Sequence, residues 1–406
     1  MARVLLAWEF GAGLGHLNRL TAVGQRLAAA GHAITVAVPR LATTAPTVAR
    51  GLPGVPVLEG WSWEVADART ARQVPTHSFA DVIWLFGYHR EDALAAAAER
   101  WSAVLAETRP DLVVADFAPT LALVAGADVA RVVLGNGYTV PPPGRPLPPL
   151  RPWVRTVPRE SAAHERDLLG LANRMRKRRG LAAVGHFADL FSGPRTYVCT
   201  IPEFDPYGVH RREATFTPFN VPRIAAGPPV EARADQPIAL YLPASHPHLR
   251  DAFAAVAGSG VPCHAYVSGA PPEAVAKRAP ANMAIHRKPL DLGALLPKAR
   301  VLIHHAGLAT AYAGLQAGVP QLVLPANLEH AITGRGLEGF GAALSVLSAP
   351  GTPGAVDGAL RRLLGERPLW DAANTAARAV GARPVVDSLA AVVAGCEELL
   401  GGGAAS

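Results

Sequence analysis

Near the start of the 406-residue chain, "FGAGLGHLNRL" (residues 10–20) sets three glycines, Gly11, Gly13 and Gly15, in alternation before His16. Two chemistries use such a stretch. A glycine turn can cradle the pyrophosphate of a dinucleotide, or it can hold a histidine ready for acid–base work. The dinucleotide fingerprint is G-x-G-x-x-G, with an acid about 20 residues later at the end of the second strand. Here the third glycine comes one position early, the second apolar run ends in Pro39-Arg40, and the next acid is Glu59. The spacing favours the histidine.

His16 is expected in the first turn of a helix, at the carboxyl end of the first strand, where open α/β sheets bind ligands. A neutral imidazole there takes a proton from a hydroxyl if a carboxylate orients its other nitrogen. "DLVVADFA" (residues 111–118) ends a strand in Asp116 at the same kind of edge. Taken singly, His16 reads equally well as a packing residue and Asp116 as a helix cap. In one register of one sheet, they read as a dyad.

A second constellation lies in "VLIHHAGLATAYAGLQAGVPQLVLP" (residues 301–325), where an apolar run enters His304-His305. The turn from His305 through Ala306, Gly307, Leu308 and Ala309 to Thr310 is built of small residues, and a helix follows. Small residues let a ligand reach backbone amides, and a helix N-terminus carries roughly half a positive charge, which suits a phosphate. With no lysine in the turn, this is not a Walker loop. Ser245, at another strand end, is a further candidate for the same site. His246 and His248 in "ASHPHL" have too few neighbouring ligands to read as a metal site. Trp61, Trp63 and Trp84 suit either core or the lining of a pocket.

The elements that must position these residues alternate between strand and helix, the pattern of parallel βαβ units. In the first half the strands fall near Val4–Trp8, Ile34–Val38, Leu112–Ala115 and Val132–Gly135. In the second they fall near Ile238–Leu242, Val261–Val267, Met283–His286, Val301–His304, Gln321–Leu324 and Ala343–Leu347. The fold class is α/β, with two Rossmann-like domains facing across a cleft. Residues 1–220 form an N-terminal acceptor-side domain with a basic insertion at about 141–180, and 221–237 form a Pro/Ala-rich linker. Residues 238–380 form the C-terminal domain, and 381–406 a last helix with a frayed tail. Proline-dense "PPPGRPLPPLRP" (residues 141–152) reads as an excursion over the surface.

The formal charge is +7, and residues 141–180 hold ten basic against three acidic side chains, a balance that equals the whole surplus. Charge so concentrated argues against nucleic acid, which takes basic residues spread over a face. It fits a solvated basic helix, or an anionic acceptor or membrane surface met through residues 145–179. No apolar run reaches membrane-spanning length, and the first residues lack a basic signal-peptide region. Three scattered cysteines, Cys199, Cys263 and Cys396, read as buried thiols, so a cytoplasmic protein, touching at most the inner membrane face, is expected.

"HAGLAT…GLQAGVP…LVLP…EH" resembles the donor motif H-G-G-x-G-T/S…G-V-P…P…D-Q of GT-B glycosyltransferases. The family includes antibiotic and plant secondary-metabolite UDP-sugar transferases. G-x-G-H with "GHAITVAV", "DLVVADFA" and "KPLDLGALLPKARVLIHH" resemble further segments of that family in the same order. The resemblance implies that His16 is the base and Asp116 its orienter, with Gly13 and Gly15 in the acceptor-side turn. It also implies that the turn from His305 to Thr310 holds the donor diphosphate, and that Glu329 and His330 hold sugar hydroxyls. Two positions depart from the pattern: Ala313 stands where a ribose-binding glutamate is usual, and Leu290 where a glutamine is.

The implied reaction is metal-independent inverting transfer of a sugar from a UDP- or dTDP-type nucleotide sugar to a hydroxyl acceptor, small or lipid-linked. The nucleotide sugar is a co-substrate, and no cofactor is called for. Two other readings stay open. A GT-B epimerase or hydrolase would release an epimer or free sugar without an acceptor. A non-catalytic helper subunit would bind no nucleoside diphosphate.

Overall fold

The computed structural model describes residues 1–11, 14–65, 76–127, 129–224, 235–384 and 386–402. The chain divides into two compact units, Met1–Phe219 with Val386–Ser406, and Asn220–Val385.

In the first unit, seven parallel strands run in the order β3-β2-β1-β4-β5-β6-β7. They are β1 (Arg3–Trp8), β2 (Ala33–Val38), β3 (Val57–Glu59), β4 (Leu112–Asp116), β5 (Ala130–Gly135), β6 (Arg195–Cys199) and β7 (Thr215–Phe216). Strands covered on both faces read as continuous apolar runs, and Val4, Leu5, Leu6 and Ala7 of β1 are all buried. Helix α1 (Leu14–Ala29) returns across the sheet with Leu17, Leu20, Val23 and Leu27 facing in. Gly24, on that face, lets the helix sit close, since a Cβ there would lie 2.6 Å from Leu6 Cδ1. Gly31, at φ +89, follows the helix in the left-handed conformation that stops it.

Strands β3, β6 and β7 escaped the sequence reading. "VLE", "RTYVC" and "TF" are too short or too polar to stand out, and they form on the open edges offered by β2, β5 and then β6.

The proline-dense segment is pinned to the body of the unit. Leu147 and Leu150 are fully buried, Leu147 N donates to Glu165 at 2.6 Å, and Leu150 N donates to His77 O at 2.8 Å. This corrects the surface excursion read from its prolines. Two further helices matter: α2 (Phe79–Leu85) and α3 (Arg159–Arg178), the basic segment. Much of the charge of α3 is spent inside the chain. Arg178 pairs with Glu91 and Arg179 with Glu99, both at 2.7 Å, and Arg176 donates to the carbonyls of Ala122 and Leu123.

The second unit has six parallel strands in the order β10-β9-β8-β11-β12-β13. These are β8 (Ile238–Pro243), β9 (Cys263–Ser268), β10 (Met283–Ile285), β11 (Val301–His304), β12 (Gln321–Val323) and β13 (Ala343–Ser345). Helix α4 (Leu308–Gln316) follows β11, and α5 (Leu328–Gly339) follows β12. The last helix, α6 (Ser388–Gly402), packs on the first unit. There Val392 and Cys396 join the cluster of Leu17, Leu20 and Leu134, and Glu397 meets His32 at 3.1 Å.

Among the described residues, no helix is long and apolar enough to cross a membrane. In both sheets the strand order reverses beside the first strand of the unit, at β1/β4 and at β8/β11, and each reversal opens the place where such sheets bind ligands.

Candidate active site

At the first reversal, β1 and β4 are in register with Trp8 opposite Asp116. The chain leaves β1, turns through Gly11 and enters α1, which brings His16 back over the strand ends. Its Nδ1 lies 2.8 Å from Asp116 Oδ1. Asp116 caps no helix, since the next one has Ala118 as its N-cap without a side-chain bond. Burial alone would raise the Asp116 carboxyl, but Arg19 and His16 beside it outweigh burial and bring it down to about 2. It is therefore an anion in a dry place.

Arg19 was not singled out from the sequence as part of this site, although H-x-x-R at helical spacing was the available signal. Its Nε donates to Asp116 Oδ2 at 2.7 Å and its Nη2 to Oδ1 at 3.1 Å. The indole of Trp8 stacks on the imidazole at 5.5 Å, with 16° between planes. The glycine against the far side of the ring is Gly11, at φ +92, where a Cβ would come within 2.9 Å of Nε2. Gly15 is exposed and its missing Cβ would meet only the end of Arg19 at 3.8 Å, while Gly13 lies outside the described residues.

Behind the dyad, Phe10 stacks on Phe117 at 5.1 Å and on Trp63 at 5.5 Å. Trp63 is buried, and its Nε1 donates to Glu9 at 2.5 Å, while Thr120 N donates to the other Glu9 oxygen at 2.9 Å. Burial lifts the Glu9 carboxyl to about 7 against these bonds. Nothing in the sequence marks Glu9, since a single acid after an apolar strand reads as its end. Trp84 lies between the rings of His89 and His164, at 4.1 and 4.2 Å.

At the second reversal, β11 delivers His304 and His305. His304 is buried under the turn, and its Nδ1 accepts from Ala306 N at 3.1 Å. Ala306 takes φ +71, which side chains larger than glycine's rarely adopt, and Gly307 is the N-cap of α4. His305 meets His330 of α5 at 4.6 Å between ring centres, and His246, after β8, lies 6.4 Å away on the other side. His305 Nδ1 is buried without a partner.

All three histidines are held neutral. Burial, then the neighbouring rings, lowers His305 to about 4 and His330 to about 3, and His246 falls for the same reasons. The sequence reads His246 only as a histidine with too few neighbours for a metal, and its place beside His305 follows from the β8/β11 pairing. Its Nε2–H donates to Leu324 O at 2.9 Å and its Nδ1 accepts from His248 N at 3.2 Å, so it serves as a wall. Ser245, next to it, is exposed. Glu329 and His330 occupy the first turn of α5, where Asn327 caps His330 N at 2.9 Å. Ala313 is fully buried against Leu302 and Leu296, so it presents the core and no ribose-binding group.

Residues 272–399 match the family model of the erythromycin biosynthesis protein CIII-like C-terminal domain. An L-demethylnoviosyl transferase of Streptomyces niveus is 28% identical over 349 residues, 82% of this chain and 83% of that one. The chain is a GT-B glycosyltransferase.

The fold of this glycosyltransferase agrees with solved structures. VinC in complex with dTDP superposes with a TM-score of 0.62 at 20% identity, covering 98% of this chain and 99% of that one. Spinosyn rhamnosyltransferase SpnG complexed with spinosyn aglycone gives 0.65 at 18%, covering 97% and 100%. The family-model match contains the turn after β11, together with Glu329 and His330, and leaves Ser245 and His246 outside it.

Proposed function

We propose that this glycosyltransferase moves a sugar, with inversion and without a metal, from a dTDP- or UDP-linked donor to a hydroxyl on a small aglycone. His16 Nε2 takes the hydroxyl proton while the oxygen attacks the anomeric carbon, and the nucleoside diphosphate leaves from the opposite face. Asp116 holds the Nδ1–H tautomer and steadies the imidazolium that forms. The departing diphosphate is received by the backbone amides at the start of α4 and by His305, with Ser245 beside them. Glu329 and His330 take sugar hydroxyls. Preorganised donors aimed at the leaving charge stabilise it as it develops.

The observation that carries this reading is the 2.8 Å bond between His16 Nδ1 and a fully buried, ionised Asp116. Support for the donor comes from the unpartnered, buried Nδ1 of His305 and from the dTDP held by VinC. Support for the acceptor comes from the aglycone held by SpnG.

The test has two parts. dTDP and UDP are titrated against the melting temperature, since saturation at 100 times Kd stabilises by about 2.7 kcal/mol. The nucleotide that raises it is then supplied as its sugar, with a panel of polyphenol and macrolide acceptors. His16→Ala is expected to bind the nucleotide normally and to transfer about 10²–10⁴-fold more slowly. Transfer at the native rate by that variant rejects the base. No nucleotide response at all rejects the donor site and leaves the helper-subunit reading.

A further inference from the structure

Arg19 sits one turn along α1 from His16, and a spacing of three residues places both side chains on one face of the helix. Its Nη2, besides donating to Asp116 Oδ1, lies 3.0 Å from His16 Nδ1. Three ionisable groups therefore meet within hydrogen-bonding distance. Asp116 is fully buried there, and the side chains of His16 and Arg19 are only 14% and 12% exposed.

The protons are assigned by elimination. A guanidinium carries donors and no acceptor, and a carboxylate gripped by one is ionised. The proton in the 2.8 Å contact between Nδ1 and Oδ1 must then sit on Nδ1. The Nη2–Nδ1 approach is thus one of two donors converging on the same oxygen. It sets a full positive charge against the ring. A histidine–aspartate pair alone is an anion that welcomes a proton, whereas this trio is neutral and becomes a cation on taking one.

The surroundings leave that balance intact. From β1 and the end of β4 come the uncharged rings of Trp8 and Phe117. Cys199 of β6 is buried and pushed up to about 12, so it stays a thiol. On α6, Glu397 is turned to His32 and Glu398 to Arg195. On the helix Leu41–Gly51, Arg50 is turned to Thr47.

Resting on the reading of His16 as the base, we propose that Arg19 is a positioning residue. It locks Asp116 so that His16 keeps its Nδ1–H tautomer and leaves Nε2 as the proton acceptor.

Ring-nitrogen NMR of the full chain labelled with ¹⁵N-histidine tests this without any substrate, with His16 assigned by His16→Gln. The native protein is expected to show His16 as the Nδ1–H form. Arg19→Met, which removes the fork and the charge, should mix in the Nε2–H form. Arg19→Lys, which keeps the charge and loses the fork, should mix the tautomers as well. Arg19→Gln keeps a donor for Asp116 and serves in place of Arg19→Met if that variant unfolds. An Nε2–H form in the native protein, or an unmixed Nδ1–H form in the Met (or Gln) and Lys variants, overturns the proposal. Failure of the base reading looks different: His16→Ala then transfers at the native rate, whatever tautomer the NMR shows.

Discussion

Trp8 and Asp116 are register partners across the β1–β4 ladder, and the indole of the one stacks on the imidazole that hydrogen-bonds to the carboxylate of the other. The sheet itself thus sets two of the contacts that fix His16. A change at Asp116 acts on a rigid frame, which makes its consequences predictable.

Asp116→Asn keeps the shape of the side chain and removes its charge. It should lower kcat by about 10²–10⁴-fold, the range a positioned base contributes, with KM for the donor little changed. Asp116→Ala should also lose stability, by about 3–5 kcal/mol, because it strands the Arg19 guanidinium in a largely closed site. Steady-state kinetics and urea unfolding of the two variants separate these effects.

The histidines of the second unit should make the protein acid-sensitive. His304, His305 and His330 are lowered to about 3, 4 and 3, chiefly by burial, whereas the unfolded chain titrates near the ordinary value of 6.5. Between pH 6.5 and about 4 the unfolded state therefore binds more protons, so stability falls as pH falls. The slope is at most about 1.4 kcal/mol per pH unit for each histidine. Denaturant titrations at pH 7 and pH 5 measure it, and His330→Asn should flatten it.

Glu9 works in the opposite sense. Its folded value of about 7 lies above the ordinary 4.5, so its contribution is fully present below pH 4.5 and is lost as pH rises through 7. Glu9→Gln should match the native protein at pH 5 and exceed it at pH 8 by about 1–3 kcal/mol. Unfolding curves at the two pH values check both halves of that statement.

Two glycines should resist substitution for different reasons. Gly11→Ala puts a Cβ 2.9 Å from His16 Nε2 in a left-handed backbone, so transfer should fall and stability should drop by about 1–3 kcal/mol. Gly24→Ala drives a Cβ to within 2.6 Å of Leu6 and should cost about 1–3 kcal/mol through overpacking, with Nε2 of His16 untouched. Melting temperature and kcat together distinguish them.

Much of this site was legible before the structure, and the reason is topological. A residue at the carboxyl end of a parallel strand lies at the carboxyl rim of its own sheet whatever follows it, so Asp116 and His305 could be placed from strand ends, and His16 from the helix that follows β1. For Arg19 the H-x-x-R spacing sets it only on the helix face of His16, and its meaning comes from Asp116 across from it. His246 depends on which strand neighbours β11, and strand order is not written in local pattern. Glu9 depends on burial by Trp63, which is 54 positions away in sequence. The short strands β6 and β7 form by templating on a neighbour, a tertiary cause that propensity does not carry.

Helix α6 supplies Val392 and Cys396 to the same apolar cluster as Leu6 and Leu17, at the opposite end of the polypeptide. During synthesis the first unit therefore stays unfinished while the whole second unit emerges, and its hydrophobic face is sealed only once α6 is clear of the ribosome. A nascent or clipped chain ending near residue 380 would carry an uncovered apolar strip, although every strand of both sheets had already been made.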